Sequence, residues 1–258
     1  PFDDENVIAG QGTIGLELLD QLPDVEAVVV PVGGGGLISG VAYAVKSLNP
    51  NVKVYGVQAS GAPSMVNSLH DHKQEKLAKV STIADGIAVK EPGSVTFDIC
   101  SRYVDDIVTV SEDEICAAIL HLIESEKMVA EGAGAASVAA VMFNKVPVKG
   151  KKTICVVSGG NIDVTILSRV INRGLAKSGR ICTLIIELAD KPGQLLKVCQ
   201  VIAAQGGNIV SVYHERNNDS KKVTDCVLRL SVETKNQEHV ESITKALTDN
   251  GLKIRENI

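Results

Sequence analysis

The feature that constrains this chain most is Val32-Gly33-Gly34-Gly35-Gly36-Leu37, set between a continuous apolar run over 27–32 and a helical pattern over 40–48 that Asn49-Pro50 closes. An apolar run of that length, bounded by glycine, reads as a strand buried on both faces, which is a strand of a parallel sheet. Four consecutive glycines let the backbone take conformations closed to other residues and leave no Cβ between it and a ligand. Their N–H groups, together with the helix N-terminus, can surround an anion, and phosphate is the expected guest. A tight strand-to-helix turn with no ligand is the alternative, though such a turn rarely needs four glycines. The dinucleotide pattern G-x-G-x-x-G fails in every register, because Ile38 and Ser39 fall where its third glycine belongs. The P-loop fails too, since Val41-Ala42 stands where Lys and Ser/Thr are required. A mononucleotide-like phosphate compound with its own chemistry remains.

The surrounding pattern repeats the strand, turn and helix rhythm of βαβ units from about residue 25 to 175. Strands are expected over 52–58 and 153–157. Ser111 and Glu114 make a capping box for a helix reaching about Lys127, and a helix of small residues spans 131–143. Ser158-Gly159-Gly160-Asn161 follows the 153–157 strand as the glycine loop follows its own strand, so both loops can face one pocket beyond the carboxyl ends of a parallel sheet. A hydroxyl there could meet a cofactor ring; equally, Ser158 or Asn161 could simply cap the next helix.

The polar, basic stretch 173–180 breaks the rhythm and is taken as the boundary between residues 1–175 and 181–258. Beyond it the expected order is a strand at 182–188, a helix at 193–205, a strand at 208–216, a polar hairpin at Asn217-Asn218-Asp219, a strand at 223–232, a helix at 237–250 and a short strand at 252–255. That βαββαβ order describes a ferredoxin-like α+β sandwich with an antiparallel sheet. The fold class is thus α/β: a three-layer parallel-sheet body followed by a smaller α+β domain.

Composition excludes several classes of function. With 22% charged residues and a net charge of −5, the chain has no basic surplus for nucleic acid. No stretch of eighteen apolar residues is present, so no membrane partner is expected. The opening Pro1-Phe2-Asp3-Asp4-Glu5 is too acidic for a signal peptide or mitochondrial presequence, which points to a cytoplasmic address. The six cysteines, at 100, 116, 155, 182, 199 and 226, are far apart and read as reduced thiols rather than a metal or disulfide framework. His70-Asp71-His72 has no third ligand nearby and reads as a solvated loop, so no metal site is expected.

Taken in order, V-G-G-G-G-L at 32–37, T-I-A-D-G at 82–86, V-D-D-I at 104–107, E-G-A-G-A-A at 131–136 and V-S-G-G-N at 157–161 resemble the threonine dehydratase and serine racemase group of fold-type II pyridoxal-phosphate enzymes. Pro1-Phe2-Asp3-Asp4 and Gly10-Gln11-Gly12-Thr13 are similar to the same family, so the resemblance covers the first 175 residues. It implies pyridoxal 5'-phosphate as cofactor, with Gly33, Gly34, Gly35, Gly36 and Leu37 on its phosphate and Ser158 on its ring nitrogen. A neutral hydroxyl does not force that nitrogen to stay protonated, so the ring is a weaker electron sink, which suits loss of a β-hydroxyl. The implied reaction is deamination of L-threonine, and of L-serine, with 2-oxobutanoate and ammonia formed from threonine. The family's Schiff-base lysine lies in an upstream S-x-K-x-R-type segment that no lysine here matches. No catalytic residue is therefore assigned in this chain; the expectation is that an N-terminal portion lies elsewhere and that these 258 residues alone are inert. Where serine racemase places an acidic pair on a divalent ion, this chain has Gln58 and Ser64, which favours the dehydratase.

The segment 187–195, with Gly206-Gly207-Asn208-Ile209 one helix later, resembles an ACT domain. That resemblance implies an amino-acid effector held by Gly193, Leu195, Asn208 and Ile209 between paired domains, hence a homo-oligomer, dimer or tetramer. Isoleucine or valine is the effector that threonine dehydratase suggests, as expected of isoleucine biosynthesis, with serine as another candidate. A dimerisation module with an empty site is the competing view, and a non-catalytic amino-acid sensor competes with the enzyme as a whole.

Overall fold

The computed structural model describes residues 1–216 and 225–255, and the chain divides into two units, Pro1–Val170 and Ile171–Ile258. The first is built on a four-stranded parallel sheet of β1 (Ala27–Pro31), β2 (Lys53–Ala59), β3 (Asp106–Val110) and β4 (Thr153–Cys155), in the order β3-β2-β1-β4. All five residues of β1 are buried. Its pleat sends Val28 and Val30 into one core, against α2 (Gly36–Leu48) and residues of α1 (Glu5–Gln21), α3 (Ser64–His70) and α4 (Ser94–Tyr103). Ala27 and Val29 point the other way, into a core shared with α5 (Glu112–His121), α6 (Gly132–Met142) and α7 (Val164–Lys177). Helices on both faces make the three layers of an α/β body.

Local signals place these elements well where they are self-contained. Ser111 accepts from the Glu114 N–H while the Glu114 carboxylate accepts from the Ser111 N–H, the reciprocal cap expected for α5. After His121 the helix widens into a π-turn, Leu122–Glu126, and stops at Lys127, whose φ is 57°. α2 begins at Gly36, four residues before its apolar periodicity does, because Gly35 at φ 100° turns the chain straight from the loop into the helix.

Other elements differ from expectation. Helices α1, α3 and α4 and strand β3 have no counterpart in the periodicity. Nor is the stretch 173–180 a break in regular structure, since its first half is helical and belongs to α7, where Ile166, Leu167 and Val170 form an apolar face against the α5–α6 core. The basic residues mislead because they are the outer face of an amphipathic helix. The start of that helix also resolves the capping question. Asp163, not Ser158 or Asn161, accepts from the Thr165 and Ile166 N–H groups, at 2.7 and 3.3 Å.

The second unit follows the order β5 (Ile181–Ala189), α8 (Gln194–Ala204), β6 (Asn208–Glu215), β7 (Asp225–Glu233), α9 (Gln237–Asp249) and β8 (Lys253–Arg255). Its antiparallel sheet runs β6-β7-β5-β8. Burial alternates strictly along β5, and Leu184, Ile186 and Leu188 meet Val198 and Ile202 of α8 and Ile243 and Leu247 of α9. The expected hairpin at Asn217-Asn218-Asp219 lies outside the described residues.

Candidate functional site

In the sheet order β3-β2-β1-β4 the chain moves from β1 outward to β2 and β3, then returns to the other side of β1 with β4. The loops leaving neighbouring parallel strands β1 and β4 therefore diverge, and the crevice between them is where such sheets bind ligands. A cavity of about 290 Å3 lies there, lined by Gly33, Gly34, Gly35, Gly36 and Leu37 from one loop and Ser158 from the other. The structure thus brings all six of these sequence-derived residues to one cavity; Asn161 is not part of its wall.

The glycine loop is held through its carbonyls. Thr96 Oγ1 donates to the Gly34 carbonyl at 2.6 Å, with the Gly93 N–H on the same oxygen at 3.3 Å, and the Ser39 N–H donates to Gly35 at 2.9 Å. The Gln58 amide reaches the Gly33 carbonyl at 3.5 Å. Among the described residues, none of the N–H groups from Gly33 to Leu37 donates to a backbone acceptor. Unpaired donors at the start of a helix are an anion site, so the loop fits a phosphate.

The neighbours of the loop crowd its glycines in two places, at Gly35 against a buried side chain and at Gly34 against an exposed ring. A Cβ on Gly35, besides its positive φ, would lie 2.8 Å from Thr96 Cβ, and one on Gly34 would lie 2.2 Å from the Phe2 ring. Phe2 thus packs against the loop and forms part of the cavity wall.

On the other side, the Ser158-Gly159-Gly160 segment rests on the N-terminus of α6. The Glu131 N–H donates to the Gly159 carbonyl at 3.1 Å, and a Cβ on Gly134 would come within 2.4 Å of that same oxygen. Ser137 fixes the strand end through its hydroxyl, which donates to the Val156 carbonyl at 2.8 Å. The small residues of 131–136 allow this approach, and they also bring the Glu131 carboxylate into the cavity. Gly86 and Ile87, in a single 3-10 turn, complete the wall with Val89 and Ala133.

Sequence reasoning assigned no role to Phe2, Gly86, Ile87 or Glu131. Phe2, Gly86 and Glu131 were visible only as members of the motifs at 1–4, 82–86 and 131–136. Gln58 is fully buried, and its side-chain oxygen accepts from the Met65 and Val66 N–H groups at 2.9 and 3.0 Å, so it caps α3 from β2. The lining of the cavity contains no lysine.

The four residues assigned to an effector are not brought together within one chain. Gly193 and Leu195 line a separate cavity of about 460 Å3 at the start of α8. Asn208 and Ile209 stand at the opposite end of the sheet, where Asn208 pairs with Glu233 and its amide donates to the Glu233 carboxylate at 2.7 Å. The reason is the crossover: α8 carries the chain back along the sheet, so β6 starts about 26 Å along the strand direction from where β5 ended, at about 3.3 Å for each of the eight residues between their partners Asp225 and Glu233.

Comparison with known proteins agrees with this architecture. Residues 1–160 match the pyridoxal-phosphate dependent enzyme family and residues 178–250 match an ACT domain. The chain is 52% identical over 255 residues to the L-threonine ammonia-lyase of Thermotoga maritima, covering 99% of this chain and 63% of that protein. It is 44% identical to the L-threonine ammonia-lyase of Geobacter sulfurreducens, over 96% of this chain and 61% of the relative. Among solved structures, the processed form of threonine deaminase isoform 2 from Solanum lycopersicum superposes with a TM-score of 0.64 at 43% identity, covering 67% of this chain and 51% of that one. The chain thus spans between about half and just under two thirds of the length of these relatives. With a phosphate-compatible glycine cradle at the switch point of a parallel sheet and a family match over its first 160 residues, the chain belongs to the pyridoxal-phosphate dependent enzymes and carries an ACT domain after its parallel-sheet unit.

Proposed function

We propose that the protein to which this chain belongs deaminates L-threonine, and L-serine as a second substrate, releasing ammonia and forming 2-oxobutanoate from threonine. The observation that carries this reading is the convergence of the β1 and β4 loops on one cavity. Relatives that are L-threonine ammonia-lyases over nearly this whole chain supply the substrate class.

Pyridoxal phosphate, when bound, supplies the electron sink that labilises bonds at the substrate's α-carbon. The chain's own residues have separate tasks. The N–H groups of Gly33, Gly34, Gly35, Gly36 and Leu37 hold the phosphate, reinforced by the positive end of the α2 dipole. The Ser158 hydroxyl, on the facing wall of the cavity, would hold the ring nitrogen without imposing a charge on it. Ile87, Val89 and Phe2 give the cavity apolar walls. Residues 1–175 are the catalytic part and 181–258 the regulatory part, to which an amino acid binds through Gly193 and Leu195 of one domain and Asn208 and Ile209 of a paired one. That pairing requires a homo-oligomer, and the opposite-end placement of the two sets within a chain is consistent with it. The effector would be a branched-chain amino acid, as fits isoleucine biosynthesis. Among the described residues no helix is long and apolar enough to cross a membrane, in keeping with a cytoplasmic enzyme.

The test is to assay 2-oxobutanoate release from threonine by this chain and by the full-length product of its gene, each with added pyridoxal phosphate. Activity is expected only from the full-length product, and lost on Ser158→Asp, which places a charge against the ring nitrogen. A full-length product that leaves both threonine and serine untouched refutes the proposal.

A further inference from the structure

The second unit holds, in the cavity that Gly193 and Leu195 also line, a group of side chains to which no role has been given. Asp190, His214 and Cys226 each present a ligand atom, and the three atoms lie within 4.8 Å of one another. Their convergence follows from the sheet. On β6, His214 is opposite Leu228 of β7, and on β5, Leu188 is opposite Cys226. Residues opposite one another share a face, and so do residues two apart, so His214, Leu228, Cys226 and Leu188 all project to the side covered by the helices. Asp190 follows β5 directly and closes the group from the strand end. All three line the cavity of about 460 Å3 beside the start of α8.

We propose that Asp190, His214 and Cys226 bind a divalent cation of the zinc type. A carboxylate oxygen, an imidazole nitrogen and a thiolate sulfur are the donors this ion takes, and three protein ligands leave a fourth position facing the cavity for water. Tetrahedral bonds of about 2.0–2.3 Å put donor atoms roughly 3.3–3.8 Å apart, so the ligands must contract by about 1 Å. Asp190 and His214 can supply that movement, since their side chains remain about one third exposed, at 33% and 34%. Binding costs the Cys226 thiol its proton, which passes to solvent. Two cationic residues line the cavity and oppose the ion, Lys191 and Arg216, whose guanidinium sits 3.2 Å from the second Asp190 oxygen. Arg216 is 67% exposed, and exposed pairs of this kind are weak enough to open. The three ligands come from the turn after β5, from β6 and from β7, and therefore form no sequence motif.

The experiment is a titration of the metal-free chain with Co2+, in the absence of any amino acid, followed by the thiolate-to-cobalt charge-transfer band and then by displacement with Zn2+. A band saturating at one equivalent is expected. Cys226→Ser should abolish it, and His214→Ala should weaken binding by roughly 100-fold or more, the upper end of what losing even an outer-shell partner costs. Cys199→Ser should leave both unchanged. His214 is exposed on an edge strand, so His214→Ala keeps the test valid should Cys226→Ser disturb the core. No charge-transfer band in the unaltered chain, or a band unchanged in His214→Ala, overturns the proposal, and either result is independent of whether the domain binds an amino acid.

Discussion

Substituting Gly35 by alanine separates backbone strain from steric crowding, because the chain supplies its own control. Gly35 has φ 100° and ψ −5°, and Gly193 has φ 86° and ψ −14°, so an alanine at either pays a left-handed penalty of roughly 1–2 kcal/mol. Their surroundings differ. A Cβ on Gly193 meets nothing within 4 Å, whereas one on Gly35 would lie 2.7 Å from Met65 Cε and 2.8 Å from Thr96 Cβ. Met65 can swing its end away. Thr96 cannot, being fully buried and tied by its hydroxyl to the Gly34 and Gly93 carbonyls. Overpacking of that kind adds about 1–3 kcal/mol, so Gly35→Ala should cost about 2–5 kcal/mol and Gly193→Ala about 1–2. The two units have separate cores and can unfold separately, so the assay is urea-dependent hydrogen exchange resolved by peptide, read in residues 27–59 for Gly35→Ala and in 181–233 for Gly193→Ala. A Gly35→Ala cost no larger than that of Gly193→Ala would refute the reasoning, since it would mean that the loop relaxes away from Thr96.

Asp105 yields a prediction with a sign. Burial disfavours its charge, but Lys46, Lys53 and the Val54 N–H outweigh that and hold the carboxyl below the usual range. A depressed folded-state value contributes stability that is present above the unfolded value and lost as pH falls through the folded one. Asp105→Asn should therefore lower stability by about 1.5–3 kcal/mol at neutral pH, with the difference shrinking on acidification, as measured by urea midpoints across pH. Asp3 accepts from the Ser94, Val95 and Thr96 N–H groups, and Gly93 offers no side-chain cap, so Asp3→Ala should destabilise the first unit by about 1–2 kcal/mol, with faster exchange at the start of α4. Burial pushes the Cys100 and Cys155 thiols up to about 11, so alkylation of the native chain at neutral pH should label the half-buried Cys199 well before either of them, as mass spectrometry would show. Equal labelling rates would contradict the packing described for the sheet.

Much of the candidate site was legible because its signals are contiguous. An apolar run followed by four glycines, and a second run followed by Ser158-Gly159-Gly160, announce two strand ends and the donors beyond them without reference to anything distant. The capping box at Ser111 and the βαββαβ order of the second unit are legible for the same reason: each is written within one turn of helix or one alternation of strand. α7 shows where that kind of signal misleads, since its exposed basic face outweighed the spaced Ile166, Leu167 and Val170 that bury it.

What the sequence alone determined, then, is the chemistry of the segments: a phosphate-compatible loop, a hydroxyl at a neighbouring strand end, and two kinds of sheet. Tertiary structure alone decided which segments meet. Only the order β3-β2-β1-β4 puts the Gly33 and Ser158 loops on either side of one crevice, and only packing brings Glu131 and Phe2 to its wall, Asp3 to a helix 91 residues away, and Asp190, His214 and Cys226 to one point. The physical reason is that side-chain periodicity is set by local backbone geometry, whereas neighbours across a sheet are set by strand order and crossover direction, which no short window of residues contains.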